Sequence, residues 1–115
     1  MFTNKVSLKD ALTDLQQSPE LFKTYFTHGT LELEMYQPEG IDRQQPHDRD
    51  EVYIVASGTA EFEIEGEFTQ VETGDFLFVP ARLDHRFHNF SEDFSTWVLF
   101  YGPKEGEQGT AQNHL

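Results

Sequence analysis

Apolar residues recur at helical spacing near the start of the chain and almost nowhere after it. Leu8, Ala11, Leu12 and Leu15 stand three or four apart behind a Ser7/Asp10 pair resembling a capping box, which predicts a short amphipathic helix from Ser7 to about Gln17. Ser18-Pro19-Glu20 then reads as a break. After Leu21 the pattern changes to period two: Leu31, Leu33 and Met35 alternate with Glu32, Glu34 and Tyr36, as expected of a strand with one buried and one wet face. Val52–Ala56, Ala60–Glu65, Phe68–Val71, Phe76–Val79, His85–Phe90 and Thr96–Tyr101 follow in the same style. Turn signals at His28-Gly29, Ser57-Gly58, Glu65-Gly66 and Thr73-Gly74-Asp75 separate them.

About eight short strands at this spacing predict an all-β chain, an antiparallel β-barrel or jelly roll with a short N-terminal helix. The expected organisation is a helical segment over 1–20 packing on a barrel over 21–102, followed by a polar, flexible tail over 103–115. A chain of 115 residues is long enough for one core and too short for two. Any site must therefore be built from that one unit.

Charge narrows the partners. With 8 basic and 21 acidic residues the net charge is −13, which repels phosphate backbones and anionic lipid headgroups. Nucleic acid and membranes are excluded as expected partners. The absence of cysteine removes disulfides and thiolate clusters and fits a reducing compartment. The start, Met1-Phe2-Thr3-Asn4-Lys5-Val6, lacks an apolar run of signal-peptide length, and no later run approaches the roughly 18 residues of a membrane span. A cytoplasmic location is expected.

Candidate chemistry lies in two stretches. In the first, Gln45 and His47 share a face if the segment is extended, and Glu51 follows four residues on. A straight strand would hold the α-carbons of His47 and Glu51 about 13 Å apart, too far to share one ion, so the chain must turn at Asp48-Arg49-Asp50 if both are ligands. In the second, a strand from Gly74 to Val79 ends at Pro80, and His85 follows with Phe87 on its face. Arg86 and His88 fall on the other face. His85 is thus the inward histidine. Two imidazoles and a carboxylate are the minimum for a mixed nitrogen and oxygen metal site.

Both stretches resemble the two sequence motifs of the cupin superfamily. Gly40, Gln45, His47, Glu51 and Gly58 stand at the positions of the first motif, with one residue fewer than usual after Gly40 and with Gln45 where the first histidine belongs. Gly74, Pro80, His85 and Asn89 match the second, with Arg82 at a position usually held by glycine. The resemblance covers Gly40 to Asn89.

It implies a small barrel holding a divalent transition metal, Fe, Mn, Ni or Zn, on His47, Glu51 and His85. Gln45 would add a weak amide ligand or a hydrogen bond to metal-bound water. The expected partner is a small organic ligand or substrate, turned over by dioxygenase- or isomerase-like chemistry, and small cupins commonly form homodimers. Tyr53, Phe87 and Trp97 are candidate pocket walls, and Arg82 is a candidate clamp for a substrate carboxylate or else a solvated loop arginine. Two alternatives stay open: a non-enzymatic binding or sensing cupin, and a metal-independent isomerase with His47 or His85 as general base.

Overall fold

The computed structural model describes residues 4–115; residues 1–3, the start of the expected helical segment, lie outside it. Ser7 caps helix α1 (Leu8–Gln16) by accepting from the Asp10 amide at 3.0 Å, as the capping pattern predicts. The helix buries Ala11 and Leu15 against Met35, with Tyr25, Ala56 and Trp97 around them. No helix among the described residues is long and apolar enough to cross a membrane.

Eight strands follow: β1 (Phe22–His28), β2 (Leu31–Tyr36), β3 (Asp50–Ser57), β4 (Thr59–Ile64), β5 (Glu67–Glu72), β6 (Phe76–Val79), β7 (His85–His88) and β8 (Ser95–Tyr101). They form a five-stranded sheet ordered β1-β2-β8-β3-β6 and a three-stranded sheet ordered β5-β4-β7, with every pairing antiparallel. This is the predicted jelly roll. The two sheets face one another and do not join into one closed ladder. Strand β7 ends at His88, short of the expected Phe90, because Asn89 turns the chain with φ +48°.

Register fixes what each face of the larger sheet presents. Across the inner face run Glu32, Phe100, Glu51 and Val79 in one row and Glu34, Val98, Tyr53 and Leu77 in the next. Across the outer face run Leu33, Leu99, Val52 and Phe78, then Met35, Trp97, Ile54 and Phe76. Strand β2 is therefore the reverse of the simple expectation: its apolar side faces outward toward α1, and its acidic side faces into the molecule.

The core between the sheets is aromatic. Phe87 packs on Tyr53, Phe62 and Phe94 with ring centroids 4.9, 5.0 and 4.9 Å apart. Gly58, the turn between β3 and β4, has φ +77°, and a Cβ there would lie 2.7 Å from the Phe94 Cα and 2.8 Å from Asp93 Oδ1. Only glycine meets both demands.

Two carboxylates pin the segments outside the sheets. Buried Asp42 accepts from Tyr36 Oη at 2.7 Å, the Gln44 amide at 3.1 Å, Gln44 Nε2 at 2.8 Å and the Phe87 amide at 2.8 Å. Asp50 accepts from the amides of Ala81 at 3.0 Å and Glu107 at 2.8 Å. The first part of the expected loose tail is thus held, and the Glu105 amide adds a bond to the Asp48 carbonyl at 2.6 Å.

Candidate metal centre

His47, Glu51 and His85 come together, although they derive from a coil, β3 and β7. Each offers one ligand atom, and those atoms lie within 4.8 Å of one another. The required turn between His47 and Glu51 is present as a bend at 48–49. Neighbouring donors around one ion with bonds of about 2.0–2.2 Å sit about 3–3.5 Å apart, so atoms within 4.8 Å of one another are near enough to share an ion.

Glu51 is 1 % exposed, and neither carboxylate oxygen receives a well-aligned hydrogen bond among the described residues. Its Oε1 lies 3.1 Å from His85 Nε2, close enough for ionic attraction but off the line of a hydrogen bond. A buried carboxylate without well-aligned donors is costly, and a bound cation would relieve it. The donor set, two imidazoles and a carboxylate, suits a divalent transition metal.

The surroundings orient His85. Its Nδ1 lies 2.9 Å from the Leu83 carbonyl, which can only accept, so Nδ1 carries a proton and Nε2 is the ring atom turned toward Glu51. Nε2 is 3.0 Å from Tyr53 Oη, whose own proton goes to Gln44 Oε1 at 2.7 Å. Burial pulls the His85 pKa down, but the Glu51 carboxylate and the Leu83 carbonyl outweigh it and hold it above the usual histidine value. Burial, followed by the Glu51 charge, pushes the Tyr53 phenol well up. Half-buried His47 packs edge-on to Phe100 at 4.8 Å, and its carbonyl accepts from the Arg82 amide at 2.7 Å.

A cavity of about 410 Å³ opens beside His47 and Glu51, with His85 buried behind them. Its β2 wall presents Glu32, Glu34 and Tyr36, and Val98 and Phe100 form its floor. Phe22 and the loop residues Arg43, Gln45 and Arg49 ring the mouth. Arg49 donates to Glu32 at 2.8 Å and to the Thr30 carbonyl at 3.0 Å, and lies over the Phe100 ring at 5.3 Å. Burial, then the Glu32 charge, raises the Glu34 pKa.

The other expected site residues divide. Tyr53 is fully buried behind the centre, its hydroxyl 3.0 Å from His85 Nε2, and does not line the cavity. Gln45 is exposed at the mouth, and Gln44 is the amide that turns inward, because 37–49 is irregular and strand parity does not apply there. Phe87 lies in the core behind Tyr53 and does not line the cavity. Trp97 does not line it either: it is on the outer face against α1, since its parity on β8 is opposite to that of Val98 and Phe100. Arg82 is exposed and ion-paired with Glu105, with its Nε 3.0 Å from Oε2, so it is not positioned as a clamp. Its φ of +75° explains why glycine is the usual residue there.

Sequence reasoning passed over Glu32, Glu34, Gln44 and Arg49. The signal for the first two was the alternation itself, taken with the faces exchanged.

Comparison with known proteins agrees with this architecture. The cupin domain profile matches residues 32–101, which include β2 to β8 and all three candidate ligands. An uncharacterised protein of Streptomyces coelicolor is 46% identical over 63 residues, covering 55% of this chain; the match spans about 60% of that relative's length. Among solved structures, a Neisseria meningitidis protein superposes with a TM-score of 0.70 at 18% identity, over 86% of this chain and 100% of the other. A cupin-2 domain protein from Shewanella frigidimarina gives 0.70 at 17% identity, over 84% and 94%. At these identities the two structures speak for the fold alone.

Proposed function

The chain belongs to the cupin family, and from that premise we propose that it is a metal-dependent cupin acting on a small organic molecule. His47, Glu51 and His85 hold one divalent transition metal, Fe, Mn, Ni or Zn, and the neighbouring cavity takes the substrate. The observation that carries this reading is Glu51: a buried carboxylate facing two imidazoles with no well-aligned donor on either oxygen among the described residues.

When bound, such an ion supplies Lewis-acid polarisation or oxygen activation, the basis of isomerase- and dioxygenase-type reactions. The chain's own residues prepare the site. The Leu83 carbonyl fixes the tautomer of His85, and Gln44 Oε1 holds the Tyr53 proton next to the centre. Val98 and Phe100 exclude water from the floor.

Metal analysis of protein purified without chelators, then offered Fe(II), Mn(II), Ni(II) and Zn(II) in turn, tests the reading. About one ion per chain is expected, and its loss in Glu51→Gln and His85→Ala. Failure of the wild type to retain any of the four refutes it.

A second reading, a non-enzymatic binding cupin, is favoured by the outward position of Gln45, which leaves three donors. The metal-independent alternative, with His47 or His85 as general base, requires turnover that persists in chelator and disappears with the histidine.

The outer face of the larger sheet supports a homodimer. Beyond the part covered by α1, its rows on β8, β3 and β6 contain no charge in a chain of net charge −13, and Ile54 is 37% and Phe76 64% exposed. A second copy of the same acidic chain is repelled elsewhere and accepted there. Phe76→Lys should convert a dimer to a monomer in sedimentation velocity; a monomeric wild type refutes the pairing.

A further inference from the structure

The acidic wall of the cavity has no counterpart in the metal centre. Glu32 and Glu34 stand on β2, two strands from Glu51 and Tyr53 on β3, with β8 between. At about 4.8 Å per strand, the walls are roughly 10 Å apart at the backbone, with the cavity between them. Glu32 is engaged by Arg49. Glu34 is not: its one hydrogen bond comes from Thr24 Oγ1 at a long 3.4 Å.

We propose that Glu34 is an ammonium subsite, and that the ligand of this cavity is a small molecule carrying a protonated amine at the end away from His47, Glu51 and His85.

Three observations carry this. First, β2 buries Met35 on its other face against α1 and lines the cavity with carboxylates, an arrangement that a ligand of opposite charge rewards. Second, the field at Glu34 is negative: burial and the charges of Glu32 and Glu51 raise its pKa, outweighing Arg49. An ammonium group cancels that field and supplies the missing donors. Third, Glu34 and the buried carboxylate of Glu51 line one cavity, so a molecule that fills it meets both.

Aromatic rings of Phe22, Tyr36 and Phe100 border the same space, and the guanidinium of Arg49 already rests over one of them. The net charge of the chain draws cations toward the mouth. Two arginines suit a carboxylate instead, but Arg49 is engaged by Glu32, and Arg43 at the rim is exposed where Glu34 is half-buried. The deeper group discriminates more strongly because it is screened less.

The inference rests on the cavity of the proposed function and names its ligand class. The test uses the full chain and amide NMR titrations with n-butylammonium, butyrate and 1-butanol at one ionic strength and pH 7, in chelator and again with Zn(II). Expected is binding of n-butylammonium about ten-fold tighter than the other two, with shifts at β2 and at 43–49. Glu34→Gln should erase the preference, and Glu67→Gln, on exposed β5, should keep it.

Equal or tighter binding of butyrate or butanol, a preference that survives Glu34→Gln, or no binding of the ammonium probe overturns the proposal. The arm in chelator needs no metal, so its outcome is separate from that of the metal analysis.

Discussion

Replacing Glu51 by glutamine should strengthen the metal-free protein while destroying its site. The carboxylate is 1 % exposed, and both its oxygens lack a well-aligned donor among the described residues. A buried polar group left unsatisfied costs about 1–3 kcal/mol, and more when charged. The opposing term is its attraction to His85 at 3.1 Å, which the substitution removes. His85 keeps the Leu83 carbonyl and Tyr53 as partners, so its loss is partial.

The balance is a gain of about 1–2 kcal/mol. For a chain of this size that is roughly 3–10 °C in Tm, taking about 3–6 °C per kcal/mol. The assay is a pair of thermal melts at pH 7 in chelator, followed by the same pair with excess Zn(II). Glu51→Gln should melt higher in chelator and gain nothing from zinc, whereas the wild type should melt lower and rise on metal addition. A variant less stable than wild type in chelator, or one equally stabilised by zinc, would refute the reasoning that Glu51 is kept for a cation.

Other consequences can be measured separately. The raised Glu34 pKa means that the folded state binds its proton more tightly than the unfolded chain does, so this group's contribution to stability falls as pH rises from the unfolded glutamate value through the folded one. Glu34→Gln should accordingly be more stable than wild type at pH 7, with the gap closing as the pH falls below the carboxylate range in urea unfolding; a gap independent of pH would contradict this. Gly58→Ala combines a positive φ with a blocked Cβ and should lose about 2–4 kcal/mol by the same measurement, and a loss below 1 kcal/mol would show that the turn relaxes. The single tryptophan, Trp97, packs against α1, so its fluorescence should shift in Leu15→Ala, which should also cost about 2–5 kcal/mol, and stay unchanged when the cavity is filled; ligand-dependent quenching would place it in the cavity after all.

Much of this could be read in the chain, and the failures share a cause. Helix α1 and the strand positions follow from local periodicity, and the inward histidine follows from parity because His85 lies in a regular strand. Parity failed at Gln45, where the chain is irregular, and at β2, where it found the two faces but not which one is interior. Alternation cannot say that, because an acidic face can meet solvent or a ligand cavity. The aromatic assignments failed similarly: Phe87 is buried and Trp97 partly so, but burial in the core or on the helix side is not contact with the site. Arg82 was tied by Glu105, a contact from a segment with no pattern of its own.

Asp42 has a consequence for association of another kind. Strand β7 is one of the two edges of the smaller sheet, and an edge with free amides invites a strand from another chain. The Phe87 amide, pointing off that edge, is taken by Asp42 Oδ2 at 2.8 Å. The side chain that anchors the His47 loop therefore also closes the edge to strand addition. Loss of Asp42 should first become visible as ordered aggregation, before any loss of ligand binding.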